Sequence, residues 1–226
     1  MHYSFDRAPV MSSTVAVVDY GMGNLRSVSK ALEHVTADNQ KVIVSSNADE
    51  IANAERVVFP GQGAARDCMK HLKELQLDEV VLRAAHEKPF LGICMGMQVL
   101  MAHSEENQGI KCMGLYAGDV RAFADEALQT QMQSLKIPHM GWNKVSHKQN
   151  HPLWQGIEEN SRFYFVHSYY VDPGDDTLVA GTTDYGIEFV SVIARENVFA
   201  AQFHPEKSAH DGLQLLKNFC RWQGRL

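Results

Sequence analysis

Residues 89–96 read PFLGICMG, and this stretch decides the fold. The apolar run that leads to Cys94 is typical of a buried strand, and helix-forming residues follow it. Cys94 stands between Gly92 and Gly96, in a G-x-C-x-G pattern. The same layout with serine forms a sharp strand-to-helix turn that exposes its central side chain at the edge of a sheet. We therefore predict an α/β fold with Cys94 at the tip of a central strand.

Strands and helices alternate through the first half of the chain, and strand-like runs dominate the second. The predicted strands cover residues 15–19, 41–45, 56–59, 89–93, 119–123, 142–146, 163–171, 178–182, 187–193 and 198–202. The predicted helices cover residues 24–34, 64–75, 77–86, 96–103 and 209–221. This order predicts a mostly parallel central sheet flanked by helices, with an added antiparallel strand region. Ligands of such folds bind at the carboxyl ends of the parallel strands.

The length and composition of the chain are those of an ordinary globular domain. The 226 residues fit one domain, which we predict to span residues 14–226 after a flexible extension at 1–13. The net charge of −6 and the lack of basic runs argue against nucleic acid as a partner. No apolar stretch approaches the roughly 20 residues that a membrane span needs, and the N-terminus has no secretory pattern. We expect a cytoplasmic protein.

Cys94 is the candidate nucleophile among four scattered cysteines. No C-x-x-C spacing joins Cys68, Cys94, Cys112 and Cys220, which argues against a zinc site and favours reduced thiols. Only Cys94 precedes a predicted helix N-terminus, whose partial positive charge favours the reactive thiolate. On this pattern alone, a buried structural cysteine remains an equal alternative.

His204 and Glu206 supply a candidate base and its orienting carboxylate. They follow the strand at 198–202, in the segment QFHPE at 202–206. Histidine transfers protons best near neutral pH, and a carboxylate on its second nitrogen fixes the tautomer. Residues two apart on an extended chain project to the same side, so Glu206 can lie behind the ring. Alone, an H-x-E triplet is weak evidence, since most histidines lie on surfaces or pack.

A glycine-rich loop, PGQGA at 60–64, follows the third predicted strand. Backbone N–H groups of Gly61 and Gly63, together with that of Met95, could stabilise negative charge on a carboxamide oxygen. An ordinary strand–helix turn is the alternative. The G-x-x-x-x-G-K-[ST] pattern of a phosphate loop is missing.

Three motifs stand in order along the chain: P-G-x-G at 60–63, G-x-C-x-G-x-Q at 92–98 and F-H-P-E at 203–206. Together they resemble the class I glutamine amidotransferases. The resemblance implies that Cys94 attacks the carboxamide of glutamine, that His204 transfers protons and that Glu206 orients His204. It also implies a glutamine site, formed by Gln98, Glu106, Ser168 and Tyr169. It implies no cofactor and no metal.

Four further segments resemble one branch of that family, the glutaminase subunits that supply ammonia to a cyclase of histidine biosynthesis. They are DYGMGN at 19–24, PHMGWN at 138–143, FVHSY at 165–169 and HPEKS at 204–208. The resemblance implies a heterodimer with a (β/α)8 cyclase and an internal ammonia passage. The implied interface residues are Asn24, Trp142, Tyr164 and Lys207. Core packing is the alternative for Trp142, and His167 has no obvious chemical role.

Three other functions stay open. A paralogue that feeds ammonia to another synthase would share the same Cys–His–Glu chemistry. A non-catalytic binding subunit would keep the fold, but the intact candidate triad argues against it. A cysteine peptidase is disfavoured, because the HPE motif and Gln98 fit a small free amide as substrate better than a peptide chain.

Overall fold

The structure is a computed structural model that describes residues 13–123 and 135–225. Residues 1–12 of the predicted extension lie outside the described part, and Ser13 already belongs to the first strand. The domain boundary at residue 14 therefore stays a prediction.

One main sheet runs through the described chain, and a two-stranded sheet lies beside it. The strands are β1 Ser13–Val18, β2 Gln40–Ser45, β3 Arg56–Gly61, β4 Phe90–Cys94, β5 His103–Ser104, β6 Ile110–Lys111, β7 Gly118–Ala122, β8 His139–Lys144, β9 Ser146–His147, β10 Arg162–His167, β11 Tyr169–Pro173, β12 Val179–Asp184, β13 Glu188–Arg195 and β14 Val198–Ala201. The helices are α1 Leu25–Val35, α2 Ala48–Asn53, α3 Ala65–Glu74, α4 Asp78–Glu87, α5 Met95–Gln98 and α6 Ala209–Arg221. Short 3₁₀ turns cover Glu106–Gln108, Pro152–Trp154, Asp176–Leu178 and Pro205–Lys207.

The parallel part of the main sheet has the order β2, β1, β3, β4 and β14. The inner strands β1, β3, β4 and β14 are mostly apolar and buried because helices cover both faces, whereas the edge strand β2 carries Gln40, Lys41 and Ser45. One buried cluster joins the sheet to α1 and α6, and a second joins it to α2, α3 and α4. This confirms the predicted α/β architecture. Among the described residues, none of the helices has the length and apolar character that crossing a membrane requires.

The antiparallel part continues the same sheet from β14 through β13, β11 and β7, and β12 pairs with β13. The two-stranded sheet pairs β8 with β10 in antiparallel register. The added antiparallel region was therefore correctly predicted. The predicted strand at 163–171, however, is two strands, because the chain leaves β10 at Ser168 and enters the main sheet as β11.

The helix after Cys94 is shorter than predicted. Residues 96–103 were expected to be helical, but α5 ends at Gln98 and His103 lies in β5. The physical reason is that a later segment takes the backbone carbonyls of residues 99–101. These accept hydrogen bonds from the N–H groups of Met113, Tyr116 and Gly114.

Helix α2 was missed by the sequence analysis. Its N-cap is Asn47, whose side chain accepts hydrogen bonds from the backbone of Asp49 and Glu50. An asparagine followed by acidic residues is a start signal for a helix, but six residues are too few to show a clear period. Asn24 does occupy the N-cap position of α1 as predicted, although its side chain makes no capping bond.

Candidate active site

Two neighbouring parallel strands bring the candidate catalytic residues together. Ala201 of β14 pairs with Ile93 of β4, and both strands end at the same edge of the sheet. Cys94 follows directly after Ile93, and His204 comes three residues after Ala201. Residues that are more than a hundred positions apart in the chain therefore meet at this edge.

Cys94 occupies the strained turn that the sequence predicted. Its backbone has φ +55° and ψ −108°, a region that non-glycine residues seldom adopt. The two glycines leave the room that this turn needs. A Cβ on Gly96 would lie 1.9 Å from the carbonyl oxygen of Phe59, and one on Gly92 would lie 2.8 Å from that of Gly96.

His204 and Glu206 form a buried pair. His204 Nδ1 lies 2.9 Å from Glu206 Oε1, and the side chains are 2% and 0% exposed. The backbone of His204 is held as well, because its N–H donates to the Tyr164 carbonyl and its own carbonyl accepts from the Ser208 hydroxyl. The ring therefore has a fixed position, with Nδ1 turned toward the carboxylate.

The charges around His204 favour its protonated form. Burial by itself lowers the pKa of His204, but interaction with Cys94 and Glu206 outweighs burial and raises the pKa to about 10. Nε2 is buried and has no hydrogen-bond partner of normal geometry, even though Cys94 contributes to the rise in pKa. His204 Nε2 thus has a hydrogen-bonding position left for a reacting group.

Two buried amides connect Cys94 to the rest of the site. Gln202 Nε2 donates to Cys94 Sγ at 3.6 Å, and Gln202 Oε1 accepts from Gln98 Nε2 at 2.9 Å. Gln98 Nε2 also donates to the Tyr169 carbonyl at 3.2 Å. Sequence analysis missed Gln202. The signal was available, since Gln202 lies two residues before His204 at the end of a strand.

The glycine-rich loop lies beside Cys94. Gly61 pairs with Cys94 across β3 and β4, and a Cβ on Gly61 would lie 2.7 Å from Cβ of Met95. Gly63 has φ +87°, which a side chain would disfavour. Gly61 and Met95 are thus direct neighbours of Cys94, and Gly63 lines the same cavity as Cys94.

A cavity of about 480 Å³ opens over Cys94. This volume suits a small ligand. Nine predicted site residues line it: Gly63, Cys94, Met95, Gln98, Glu106, Ser168, Tyr169, His204 and Lys207. Glu206 lies behind His204 and does not line the cavity, in keeping with an orienting position. The Glu106 carboxylate accepts the N–H of Ala65, at the start of α3, at 2.6 Å.

An exposed apolar surface adjoins the cavity. Trp142 faces Tyr164 across β8 and β10, with ring centroids 6.2 Å apart, and Lys207 Nζ lies 5.9 Å from the Tyr164 ring centroid. Met140 is 60% exposed and Trp142 is 45% exposed. We call Met140, Trp142, Tyr164 and Lys207 the docking face. Asn24 is half-buried and follows Gly23, which packs against Gly61.

The other cysteines differ from Cys94. All four thiols are free and buried. Burial raises the pKa of Cys68 to about 12 and those of Cys112 and Cys220 to about 11. Cys94 is the cysteine that lines the cavity over the sheet edge.

A cysteine at a strained strand–helix turn, beside a histidine–glutamate pair and a glycine-rich loop, defines the class of this protein. A model of the family "Glutamine amidotransferase class-I" matches residues 16–222, and the chain belongs to that family. The protein is therefore an enzyme, a glutamine amidotransferase.

Curated relatives narrow the position within the family. The chain is 54% identical to imidazole glycerol phosphate synthase subunit HisH of Hydrogenovibrio crunogenus, over 93% of this chain and 97% of that protein. It is 57% identical to the subunit of the same name from Dechloromonas aromatica, with the same coverage. Among solved structures it is similar to PurLQS from Thermotoga maritima, with a TM-score of 0.68, 20% identity and coverage of 93% and 99%. This last likeness concerns the fold.

Proposed function

We propose that this protein is the glutaminase subunit of an imidazole glycerol phosphate synthase in histidine biosynthesis. It hydrolyses L-glutamine to glutamate and ammonia with Cys94, His204 and Glu206. The observation that carries the proposal is the meeting of these residues at one sheet edge, with Cys94 in a strained turn under a cavity. The relatives named HisH support the pathway.

In the first half of the reaction, the Cys94 sulfur attacks the side-chain carboxamide carbon of glutamine. Gln202 donates to this sulfur, and a hydrogen bond to a thiolate is stronger than one to a neutral thiol. The C–N bond then breaks, and the nitrogen takes a proton from His204 Nε2 and leaves as ammonia. A pKa of about 10 means that His204 carries this proton at neutral pH.

In the second half, water cleaves the thioester. Acylation converts the Cys94 sulfur to a thioester and so removes its interaction with His204, one contribution that holds the pKa of His204 high. Neutral His204 can then accept a proton from water as the water attacks the thioester carbon. The C–S bond breaks, glutamate leaves, and the thiolate and protonated His204 return.

The carboxamide oxygen carries negative charge in both tetrahedral intermediates. The N–H groups of Met95 and of the loop with Gly61 and Gly63 are our candidates to stabilise it, since these residues border the nucleophile. Removing one such donor typically lowers the rate about 100- to 1,000-fold.

The remaining cavity residues are candidates for holding glutamine. Both hydrogens of the Gln98 amide group are used within the protein, so Gln98 Oε1 is the atom left to accept from the substrate. Glu106 brings a negative charge suited to the ammonium group. The backbone of Ser168 and Tyr169 lies at the break between β10 and β11 and is our candidate for the carboxylate.

Ammonia would pass to a (β/α)8 cyclase that closes the imidazole ring and releases imidazole glycerol phosphate and an aminoimidazole carboxamide ribonucleotide. The docking face is the candidate surface for this heterodimer, because its Met140 and Trp142 are exposed and apolar and its Lys207 lines the cavity. A paralogue serving another synthase would use the same triad, and co-purification of its synthase would identify it.

The decisive experiment compares two nitrogen sources. The complex with the cyclase is assayed with glutamine and, separately, with an ammonium salt. Cys94→Ser should lose glutamine-dependent synthesis and keep ammonium-dependent synthesis. Cys68→Ser serves as the control, since Cys68 lies on the buried face of α3 and does not line the cavity. Glutamine-dependent synthesis that survives Cys94→Ser would favour a non-catalytic binding subunit.

A further inference from the structure

Two buried histidines outside the triad form a pair. His139 Nδ1 and His167 Nε2 are 2.9 Å apart, and the residues are 2% and 6% exposed. His139 belongs to β8 and His167 ends β10, so the pair joins the two strands of the small sheet. Neither the candidate triad nor the oxyanion loop uses these side chains.

The direction of the first hydrogen bond is fixed by the backbone. His167 Nδ1 lies 2.7 Å from the Tyr169 carbonyl, and a carbonyl can only accept. The proton of His167 therefore sits on Nδ1, and Nε2 has a lone pair. His139 must then donate from its own Nδ1.

We call the series of hydrogen bonds from Asn143 through His139 and His167 to the Tyr169 carbonyl the relay. The contacts of Asn143, at its far end, fix the same direction. Asn143 Oδ1 accepts the N–H of Lys144, and Nδ2 donates to the Asp184 carbonyl, which sets the amide orientation. Asn143 Nδ2 also lies 3.3 Å from His139 Nε2, which therefore accepts. Asn143 therefore donates to His139, His139 donates to His167, and His167 donates to the Tyr169 carbonyl.

Both rings must be neutral for this arrangement to hold. A second proton on His139 or on His167 would set two N–H groups against each other. Burial lowers the pKa of His139 to about 4 and that of His167 to about 3, so both stay neutral near pH 7.

The relay ends on the carbonyl that also orients Gln98. That carbonyl of Tyr169 accepts from Gln98 Nε2, and Gln98 in turn orients Gln202 against Cys94. His167 lines the cavity, but both of its ring nitrogens are engaged within the protein. It can act on a ligand only through the groups that it holds.

We propose that His167 is a positioning residue for glutamine: its Nδ1–H holds the Tyr169 carbonyl and so fixes the substrate-facing backbone at Ser168 and Tyr169 and the Gln98 amide. His139 and Asn143 keep His167 in the required tautomer. This inference rests on the proposed glutaminase function.

Three variants test the role in catalysis. His167→Leu removes the donor and should raise KM for glutamine about tenfold, the size expected for one lost hydrogen bond, with a smaller change in kcat. His167→Asn can place Nδ2 where Nδ1 was and should recover most of the loss. His151→Leu is the matched control, because His151 is also buried and neutral, but it accepts from the Leu153 N–H, packs against Phe199 and Trp222 and does not line the cavity. It should lower the melting temperature and leave KM unchanged.

Nitrogen-15 NMR of the histidine rings tests the relay in the unmodified protein. Both His139 and His167 should show the neutral Nδ1–H tautomer from pH 6 to 8. An Nε2–H tautomer or an imidazolium at either ring would overturn the proposal, as would an unchanged KM in His167→Leu or no recovery in His167→Asn. If the unmodified complex fails to hydrolyse glutamine, the proposed function fails, while the NMR result still decides the relay.

Discussion

Cys94 sits in a backbone conformation that costs a non-glycine residue on the order of 1–3 kcal/mol, and its surroundings leave it little alternative. The strand before it is paired on both sides, by β3 and β14, and Gly92 and Gly96 are packed so closely that the turn cannot relax. Strain of this kind persists where the neighbouring structure over-determines it. Here it presents one sulfur atom to a cavity.

The contrast among the four thiols predicts selective alkylation. Iodoacetamide at pH 7 should modify Cys94 and spare Cys68, Cys112 and Cys220, because burial raises the pKa of these three to about 11 or 12. Mass spectrometry of the digested protein should find one adduct, and Cys94→Ser should abolish it. Comparable labelling of Cys112 under native conditions would contradict the assignment.

The raised pKa of His204 predicts how stability depends on pH. A histidine whose pKa rises from 6.5 to about 10 on folding stabilises the protein fully below the unfolded pKa. This stabilisation declines as pH rises from about 6.5 through 10, by up to about 1.4 kcal/mol per pH unit. Urea unfolding at several pH values should show a decline in the unmodified protein and a flatter profile in His204→Gln. Parallel profiles would contradict the pKa rise.

Local patterns were enough to predict the candidate triad, but not the network around it. The G-x-C-x-G turn and the H-x-E triplet can each be recognised within five residues of sequence. The bonds from Gln202 to Cys94 and from His139 to His167 join residues 108 and 28 positions apart. No short pattern encodes such pairs, because they depend on which strands become neighbours.

At the scale of elements, the position of β14 determines the site. It is the last strand in the chain, yet it lies next to β4 in the middle of the sheet. Strand–helix alternation predicted the parallel half, and the strand-rich texture predicted the antiparallel half. The position of β14 between the two parts could not be predicted. The apolar periodicity of a sequence shows where strands lie but not which strands, about a hundred residues apart, pair with each other.

The junction of β4 and α5 should be intolerant of even one methyl group. In Gly96→Ala the new Cβ would lie 1.9 Å from the backbone carbonyl oxygen of Phe59, which no side-chain movement can relieve. We expect a loss of about 3 kcal/mol or more in unfolding free energy, at the upper end for overpacked sites. Gly174→Ala is the control, because its Cβ would have contacts of 3.4 Å or longer. Denaturant unfolding measures both, and equal losses would contradict the steric argument.

For the whole molecule, the parallel part of the main sheet and the small β8–β10 sheet hold different parts of the candidate site. The parallel part holds Cys94 and the glycine-rich loop. The small sheet holds Met140, Trp142 and Tyr164 of the docking face on one side and His139 and His167 on the other. Alternation along β8 accounts for this, since Met140 and Trp142 point to solvent while His139 is buried. A partner bound at this face would therefore lie next to the cavity that Ser168 and Tyr169, the proposed glutamine-binding segment, also line.

This arrangement predicts that Trp142 contributes strongly to binding of the proposed cyclase partner. Trp142→Ala should weaken the heterodimer at least about 30-fold, as is typical when a central tryptophan is lost from an interface. The matched control is Leu75→Ala, since Leu75 is also 45% exposed but lies at the end of α3. Isothermal titration calorimetry measures both affinities, and denaturant unfolding checks that each variant remains folded. If Trp142 instead served core packing, its replacement would lower the unfolding free energy and leave the affinity unchanged. An exposed tryptophan stacked edge-to-face on a single tyrosine has little packing to lose, so we expect the affinity to respond.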